Sequence, residues 1–263
     1  MSGNRIDVTL VDRGYFASRE KARAAILAGE VKVDGQPVTK AGHAIAPDAL
    51  IEVAEARRFV SRGGHKLEGA LQTFGLDVTG VHALDVGAST GGFTDCLLKR
   101  GAESVAAVDV GYGQLAWELR QDPRVATFER TNIRYVDAEQ IGAPFDLVVI
   151  DVSFIGLAKV LPHVVPLVAE SGSVLALVKP QFEAGKGRVG KKGVVRDPAV
   201  HESVLLDVVN VVHEAGWQVR ALTWSPIKGP EGNIEFWVWI ARDCGIDIDC
   251  ACAVSRAHQA LGE

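Results

Sequence analysis

The sequence predicts an α/β protein: a doubly wound, mostly parallel sheet with an antiparallel last strand, preceded by a small α+β domain. Three observations predict it. From His82 onward, strand-like apolar runs alternate with helix-like segments, the signature of successive β-α units. The run VLALV, Val174 to Val178, is apolar throughout, as in strands covered on both faces. The first of these strands ends in a glycine turn, LDVGASTGGF, and the carboxyl ends of the strands are where such sheets take their ligands.

Bulk properties fit that class. A chain of 263 residues, 48% apolar and 23% charged, suits one large domain plus a small one with a real core. No apolar stretch reaches the ~18 residues that span a bilayer. The opening MSGNRIDVTL has no signal-peptide core, so a cytoplasmic protein without membrane attachment is expected. A net charge of −5 argues against indiscriminate nucleic-acid binding and leaves any RNA contact to local patches. Cys244, Cys250 and Cys252 crowd the end of the chain. With only His258 nearby they lack the two-armed spacing of a zinc site, so no metal is expected and reduced thiols are the simpler reading.

The elements follow in order. Residues 1–56 form the predicted front domain. Ser18 caps a helix over Arg19 to Ala28 and Gly29 closes it. Val31 and Val33 alternate with polar residues up to the hairpin turn Asp34-Gly35, and Ile51 and Val53 make a last short strand. Arg5, Arg13, Arg19, Lys21, Arg23 and Lys32 are its cations for phosphates. Residues 57–63 read as a linker ending in Arg62, residues 64–242 as the large domain, and 243–263 as a C-terminal tail. In the large domain, helix GGFTDCLLKRG follows strand HALDVG, and SVAAVDV is the second strand. QLAWELRQD reads as a helix, VATFER and FDLVVIDV as strands, and IGLAKVLPHVVPLVAE as a single helix. GSVLALVK, a helix over PAVHESVLLDVVNVVHEAG, and strands WQVRALTW and IEFWVWIA complete it.

The glycine turn is not the dinucleotide fingerprint, because Ala88 and Ser89 stand in the wrong places. Gly87, Gly91 and Gly92, with Ser89 and Thr90 between them, allow close backbone approach to a ligand. Asp85 precedes the turn, and Asp109 ends the next strand, where a carboxylate accepts from both hydroxyls of a ribose. Together they point to a nucleoside cofactor without a pyrophosphate, S-adenosylmethionine. Asn132 is a candidate for the adenine edge. Phe93 is a candidate for the methionine end, although ordinary helix-to-sheet packing is the stronger reading.

Four ionisable residues occupy the same predicted rim. Lys66 lies in a helix before the first strand, Asp151 ends FDLVVID, Lys179 ends VLALVK, and Glu235 opens the last strand. Taken singly, Lys66 fits a surface helix, Asp151 a helix cap and Glu235 an edge charge. Taken jointly with the glycine turn, they disfavour a purely structural reading. After Lys179 comes a glycine-rich loop with Lys186, Arg188, Lys191 and Lys192, expected to be mobile and to order on phosphates.

RGGHKL, LDVGASTGGF, VVIDVSF, LVKPQFEAGKG and GNIEF together resemble the TlyA (haemolysin A) family and, more widely, the FtsJ-like ribose methyltransferases. The front domain, through RID…LVDRG, SREKARAAILAGEVKVDGQPV and a late IxV strand, resembles the RNA-binding domain first known from ribosomal protein S-four. The resemblance implies a class I S-adenosylmethionine-dependent methyltransferase fold, Rossmann-like and seven-stranded. It implies 2′-O-methylation of cytidines in ribosomal RNA, on the large subunit and, given the arm before Arg5 and the tail after Arg242, on the small one as well. It assigns a Lys–Asp–Lys–Glu tetrad to Lys66, Asp151, Lys179 and Glu235 and makes ribosomal RNA or ribosomal subunits the partner. For a ribose hydroxyl that must lose its proton, this makes Lys179 the candidate base, Lys66 the cation that favours its neutral form, Asp151 its orienting group, and Glu235 the group that positions Lys66 or the ribose. A noncatalytic ribosome-assembly factor with a vestigial fold is the alternative, disfavoured by the intact tetrad. An amino-directed methyltransferase is disfavoured because the turn after Ile150 is DVSF, without proline. The absence of a spanning segment disfavours a pore.

Overall fold

A computed structural model describes residues 4–16, 18–27, 29–53, 58–185, 187–243 and 248–262. The chain divides into two compact units, Met1–Arg58 and Phe59–Glu263.

In the first unit, helices Ile6–Asp12 and Arg19–Leu27 lie on a three-stranded sheet of Val31–Val33, Gln36–Pro37 and Ile51–Val53. Asp34 and Gly35 both take positive φ, 51° and 76°, as a type I′ hairpin requires. Ile6, Leu10, Ile26, Val31 and Ile51 form the core. Asp7 is fully buried, and its carboxylate accepts from Arg5, Arg19 and Arg23 at 2.9–3.2 Å. Arg5 first, then Arg19 and Arg23, hold this carboxyl far below the usual carboxylate range against the opposing effect of burial.

The second unit carries the seven-stranded sheet. Its elements are α1 (Arg62–Phe74), β1 (His82–Val86), α2 (Gly92–Lys99), β2 (Ser104–Val108), β3 (Val125–Phe128), β4 (Phe145–Ile150), β5 (Val168–Val178), α3 (Pro198–Glu214), β6 (Gln218–Trp224), β7 (Phe236–Ala241) and α4 (Cys250–Leu261). The strand order is β6-β7-β5-β4-β1-β2-β3, with β7 antiparallel to both neighbours. The order reverses direction beside β1, which places a crevice at the carboxyl end of β1 and β4. Two apolar clusters cover the faces. One, around Leu84, Val148, Val174 and Val208, lies beneath α3 and α4. The other, around Leu67, Leu97, Leu177 and Trp237, lies beneath α1 and α2. Local chemistry fixes the helix starts: Ser61 accepts from Gly63 N at the head of α1, and Asp197 accepts from Ala199 N with Pro198 as the first residue of α3.

Four boundaries differ from the sequence expectation. Residues 155–170 are not one helix but short turns at Leu157–Lys159, Leu161–Val164 and Val165–Leu167. Pro162 and Pro166 break the run, and Val168 already belongs to β5. The helix expected over 114–122 is reduced to Trp117–Arg120. Of the supposed linker, Arg62 and Gly63 are helical and Phe59 is buried in the second unit's core. The supposed tail contributes α4, whose buried Cys250, Val254 and Ala257 pack against α3 and β6.

Candidate active site

Three cavities open along the carboxyl ends of β1, β4 and β5. One, of about 420 Å³, runs from Gly87 and Ser89 past Asp109, Gln114 and Asn132 to Asp151. A second, of about 220 Å³, shares Gly87, Ser89 and Asp151 with it and reaches Lys66 and Phe93. A third, of about 300 Å³, holds Lys179 and Glu235 and shares Ser153 and Phe154 with the first.

The four ionisable residues meet where these cavities join. Lys66 Nζ donates to Glu235 Oε2 at 2.6 Å, with both side chains buried. Lys179 Nζ stands 2.5 Å from Asp151 Oδ1 and donates to Ser153 Oγ at 2.9 Å. The two pairs are linked crosswise: Asp151 and Lys66 line the second cavity, Lys179 and Glu235 the third. Strand geometry explains the convergence. Val178 pairs with Phe236 in the antiparallel β5–β7 ladder, so one rung further sets Lys179 opposite Glu235. Asp151 follows β4 directly, its amide bonded to Val86 O at 2.9 Å.

The first cavity suits a nucleoside. At Gly87, φ is +87° and an added Cβ would stand 2.4 Å from the Asp151 carbonyl oxygen, so only glycine lets the turn lie against the end of β4. Asp109 accepts from Ser89 N at 2.8 Å and Gly111 N at 2.6 Å, which leaves lone pairs for ribose hydroxyls. Asn132 Oδ1 caps the turn it begins through Arg134 N at 3.1 Å, and its amide N–H groups have no partner among the described residues. Thr90 lines the second cavity, and its carbonyl accepts from Ala116 N.

The other expected cofactor contacts divide between the cavities and the packing behind them. Asp85 is fully buried and lines none of the three cavities. Its Oδ2 accepts from Thr94 N at 3.0 Å and Thr94 Oγ1 at 2.7 Å, so it orders the first turn of α2. Phe93 packs on Trp237, ring centroids 5.3 Å apart, and lines the second cavity together with Gly92. Gly91 and Gly92 form the junction into α2.

The expected RNA contacts divide. Lys21 and Lys32 are exposed. Arg13 donates to Ala49 O and Pro47 O, and Arg5, Arg19 and Arg23 are half-exposed around Asp7. Arg62 donates to Lys228 O at 2.8 Å. Arg188 donates to Ala184 O and Ser203 Oγ, and Val194 and Val195 are buried, so this part of the basic loop is anchored rather than loose. Lys192 is exposed at φ +67°. Lys186 and the Lys191 side chain lie outside the described residues, as does Cys244. Among the described residues there is no group of three potential metal ligands and no helix long and apolar enough to cross a membrane.

Sequence reasoning missed Ser153, which accepts from Lys179, and Phe154, which is 90% exposed at φ +65° between the first and third cavities. It also missed Gly229, where a Cβ would stand 2.1 Å from Glu235 Oε1. The DVSF turn is the only local signal for the first two; Gly229 needs the fold.

Comparison with known proteins identifies the family and the fold. The FtsJ-like methyltransferase family matches residues 59–242, and the S4 domain matches residues 4–51. The 16S/23S rRNA (cytidine-2′-O)-methyltransferase TlyA of Mycobacterium tuberculosis is 46% identical over 261 residues, covering 98% of this chain and 97% of its own. The 23S rRNA (cytidine-2′-O)-methyltransferase TlyA of Campylobacter jejuni is 34% identical, covering 70% and 72%. A solved structure from Streptococcus thermophilus that carries a hemolysin label is 41% identical, with a TM-score of 0.77, over 99% of this chain and 97% of that one.

Proposed function

The chain belongs to the TlyA family of FtsJ-like methyltransferases, and from that premise we propose that it methylates the 2′-oxygen of cytidine ribose in ribosomal RNA of both subunits. The observation that carries the reading is the joining of Lys66, Asp151, Lys179 and Glu235 by two ion-pair contacts and two shared cavities.

Asp109, Asn132 and the turn from Gly87 to Thr90 would hold S-adenosylmethionine, which supplies an electrophilic methyl group when bound. A ribose hydroxyl attacks only as its proton leaves, so the site must provide a base and hold the oxygen in line. Lys179 Nζ, when unprotonated, takes that proton. Asp151 and Ser153 fix its direction from two sides. Glu235 holds the Lys66 ammonium in place through a buried contact of 2.6 Å. Phe154, exposed between two cavities, offers an apolar face to the base of the same nucleotide. Modification of both subunits is supported by nearly full-length similarity to the dual-subunit M. tuberculosis protein, which includes the segment that forms α4.

The test is transfer of labelled methyl from S-adenosylmethionine to purified small and large subunits, comparing wild type with Lys179→Ala. Label is expected on ribose 2′-oxygen in both subunits. The substitution should reduce transfer by about 10²–10⁴-fold, the usual worth of a general base, with cofactor affinity retained. Label on a base or on protein would overturn the reading.

A further inference from the structure

Asn233 is 2% exposed and lies two residues before Glu235. Its side chain makes both bonds of a peptide group to a segment some 40 residues away. Oδ1 accepts from Val195 N and Nδ2 donates to Gly193 O, each at 3.0 Å. That segment is the far half of the basic loop. It closes on itself through Gly190 N to Val194 O at 2.9 Å, and it carries exposed Lys192 in a left-handed conformation at its tip. Gly193 and Asn233 both line the third cavity, with Lys179, Ser153, Phe154 and Glu235. One short stretch, residues 233–235, therefore holds the Lys66 ammonium at one end and the basic loop at the other.

We propose that Asn233 is a positioning residue that ties the basic loop to the catalytic strand, so that the turn gripping RNA phosphates sits at a fixed distance from Lys179. The assignment rests on the methyltransferase reading of the same site. A loop held only by its own turn would lose much of its grip to the entropy of ordering on each encounter. The buried amide removes that freedom in advance, because leaving either of its ends unpaired is unfavourable. Its action is on substrate placement: Asn233 lines neither cavity that suits the cofactor.

The test compares wild type, Asn233→Ala, Lys192→Ala and the double variant for methyl transfer to ribosomal subunits, cofactor binding and amide exchange. Asn233→Ala should raise KM for the subunit about tenfold, as expected when a buried hydrogen-bonded group loses its partner. Turnover and cofactor affinity should stay within about twofold, and exchange at the Val195 amide should quicken. The double variant should be impaired by less than the product of the two single effects, because Lys192 grips only where the turn is held. Fully multiplicative effects, a fall in turnover at unchanged KM, or unaltered exchange at Val195 would overturn the assignment. If Asn233→Ala does not fold, Asn233→Asp, which keeps the acceptor facing Val195 N, carries the same measurements and the same expectations in weaker form. If wild type transfers no methyl group, the functional reading fails, while exchange at Val195 still judges the tie.

Discussion

Asp85 is the penultimate residue of β1 and has no contact with solvent, its Oδ2 engaged by Thr94 and its Oδ1 unpartnered among the described residues. Burial raises its pKa to about 7; the Thr94 hydroxyl opposes the shift and the Asp151 charge reinforces it. The folded state thus holds this proton more tightly than the unfolded chain, whose carboxyl titrates near ~3.9. The associated stabilisation is complete below that value and is lost as pH rises through about 7. Asp85→Asn keeps an acceptor for Thr94 and never ionises. The variant should therefore lose less thermal stability than wild type between pH 6 and pH 8.5, with S-adenosylmethionine affinity within about threefold. A fall in affinity of tenfold or more, by calorimetry, would return Asp85 to the cofactor site and overturn its assignment to ordering α2.

Helices α3 and α4 are joined by two imidazoles. His201, fully buried on α3, has Nδ1 2.9 Å from His258 Nε2 on α4, and its ring lies edge-on to Phe236 at the start of β7. Burial first, then the neighbouring His258, pushes His201 down to about 4. Burial and Lys228 lower His258 in the same direction. Here the unfolded chain binds the extra proton, so the contribution is complete above about pH 6.5 and is lost as pH falls to about 4. The His201 shift corresponds to at most about 3 kcal/mol. His201→Phe should accordingly flatten the fall in denaturation midpoint between pH 7 and pH 5, while an unchanged slope would assign the acid limb to other groups. The elements also show what a sequence can carry. Asp151 and Lys179 stood out as candidates in the sequence because they follow the apolar runs LVVI and VLALV, and Lys66 because it follows a capped glycine pair. The start of β5 did not stand out. Val168 belongs to the strand because it pairs with Phe145 of β4, across a register shift before Ser173, and Arg242 donates to the Val168 and Ala169 carbonyls at 3.4 and 3.2 Å, all tertiary facts. Asn233 and Gly229 were illegible for the same reason: their partners lie across the fold, and nothing in GPEGNIEF marks them locally.

At the scale of the whole molecule, the tetrad and the cations gathered around Asp7 belong to different units. All four tetrad residues and every lining residue of the three cavities lie in Phe59–Glu263. The first unit has its own apolar core and contributes cations gathered around one buried carboxylate. Arg5, Arg19 and Arg23 are each about half-exposed beside Asp7, so their guanidinium groups are aligned by the carboxylate yet still face solvent. Such a set meets phosphates with little loss of side-chain freedom. Binding that releases counterions falls with salt in proportion to the phosphates engaged. A fragment of residues 58–263 should therefore fold and bind S-adenosylmethionine within about threefold of the intact chain, because each unit closes its own core. Its affinity for ribosomal subunits should drop by about 10²-fold or more at moderate salt, and the slope of log affinity against log salt should become shallower by about one for each phosphate no longer engaged. Fluorescence titrations at several salt concentrations measure both. A fragment that binds subunits with the slope of the intact chain would move RNA recognition wholly into the catalytic unit.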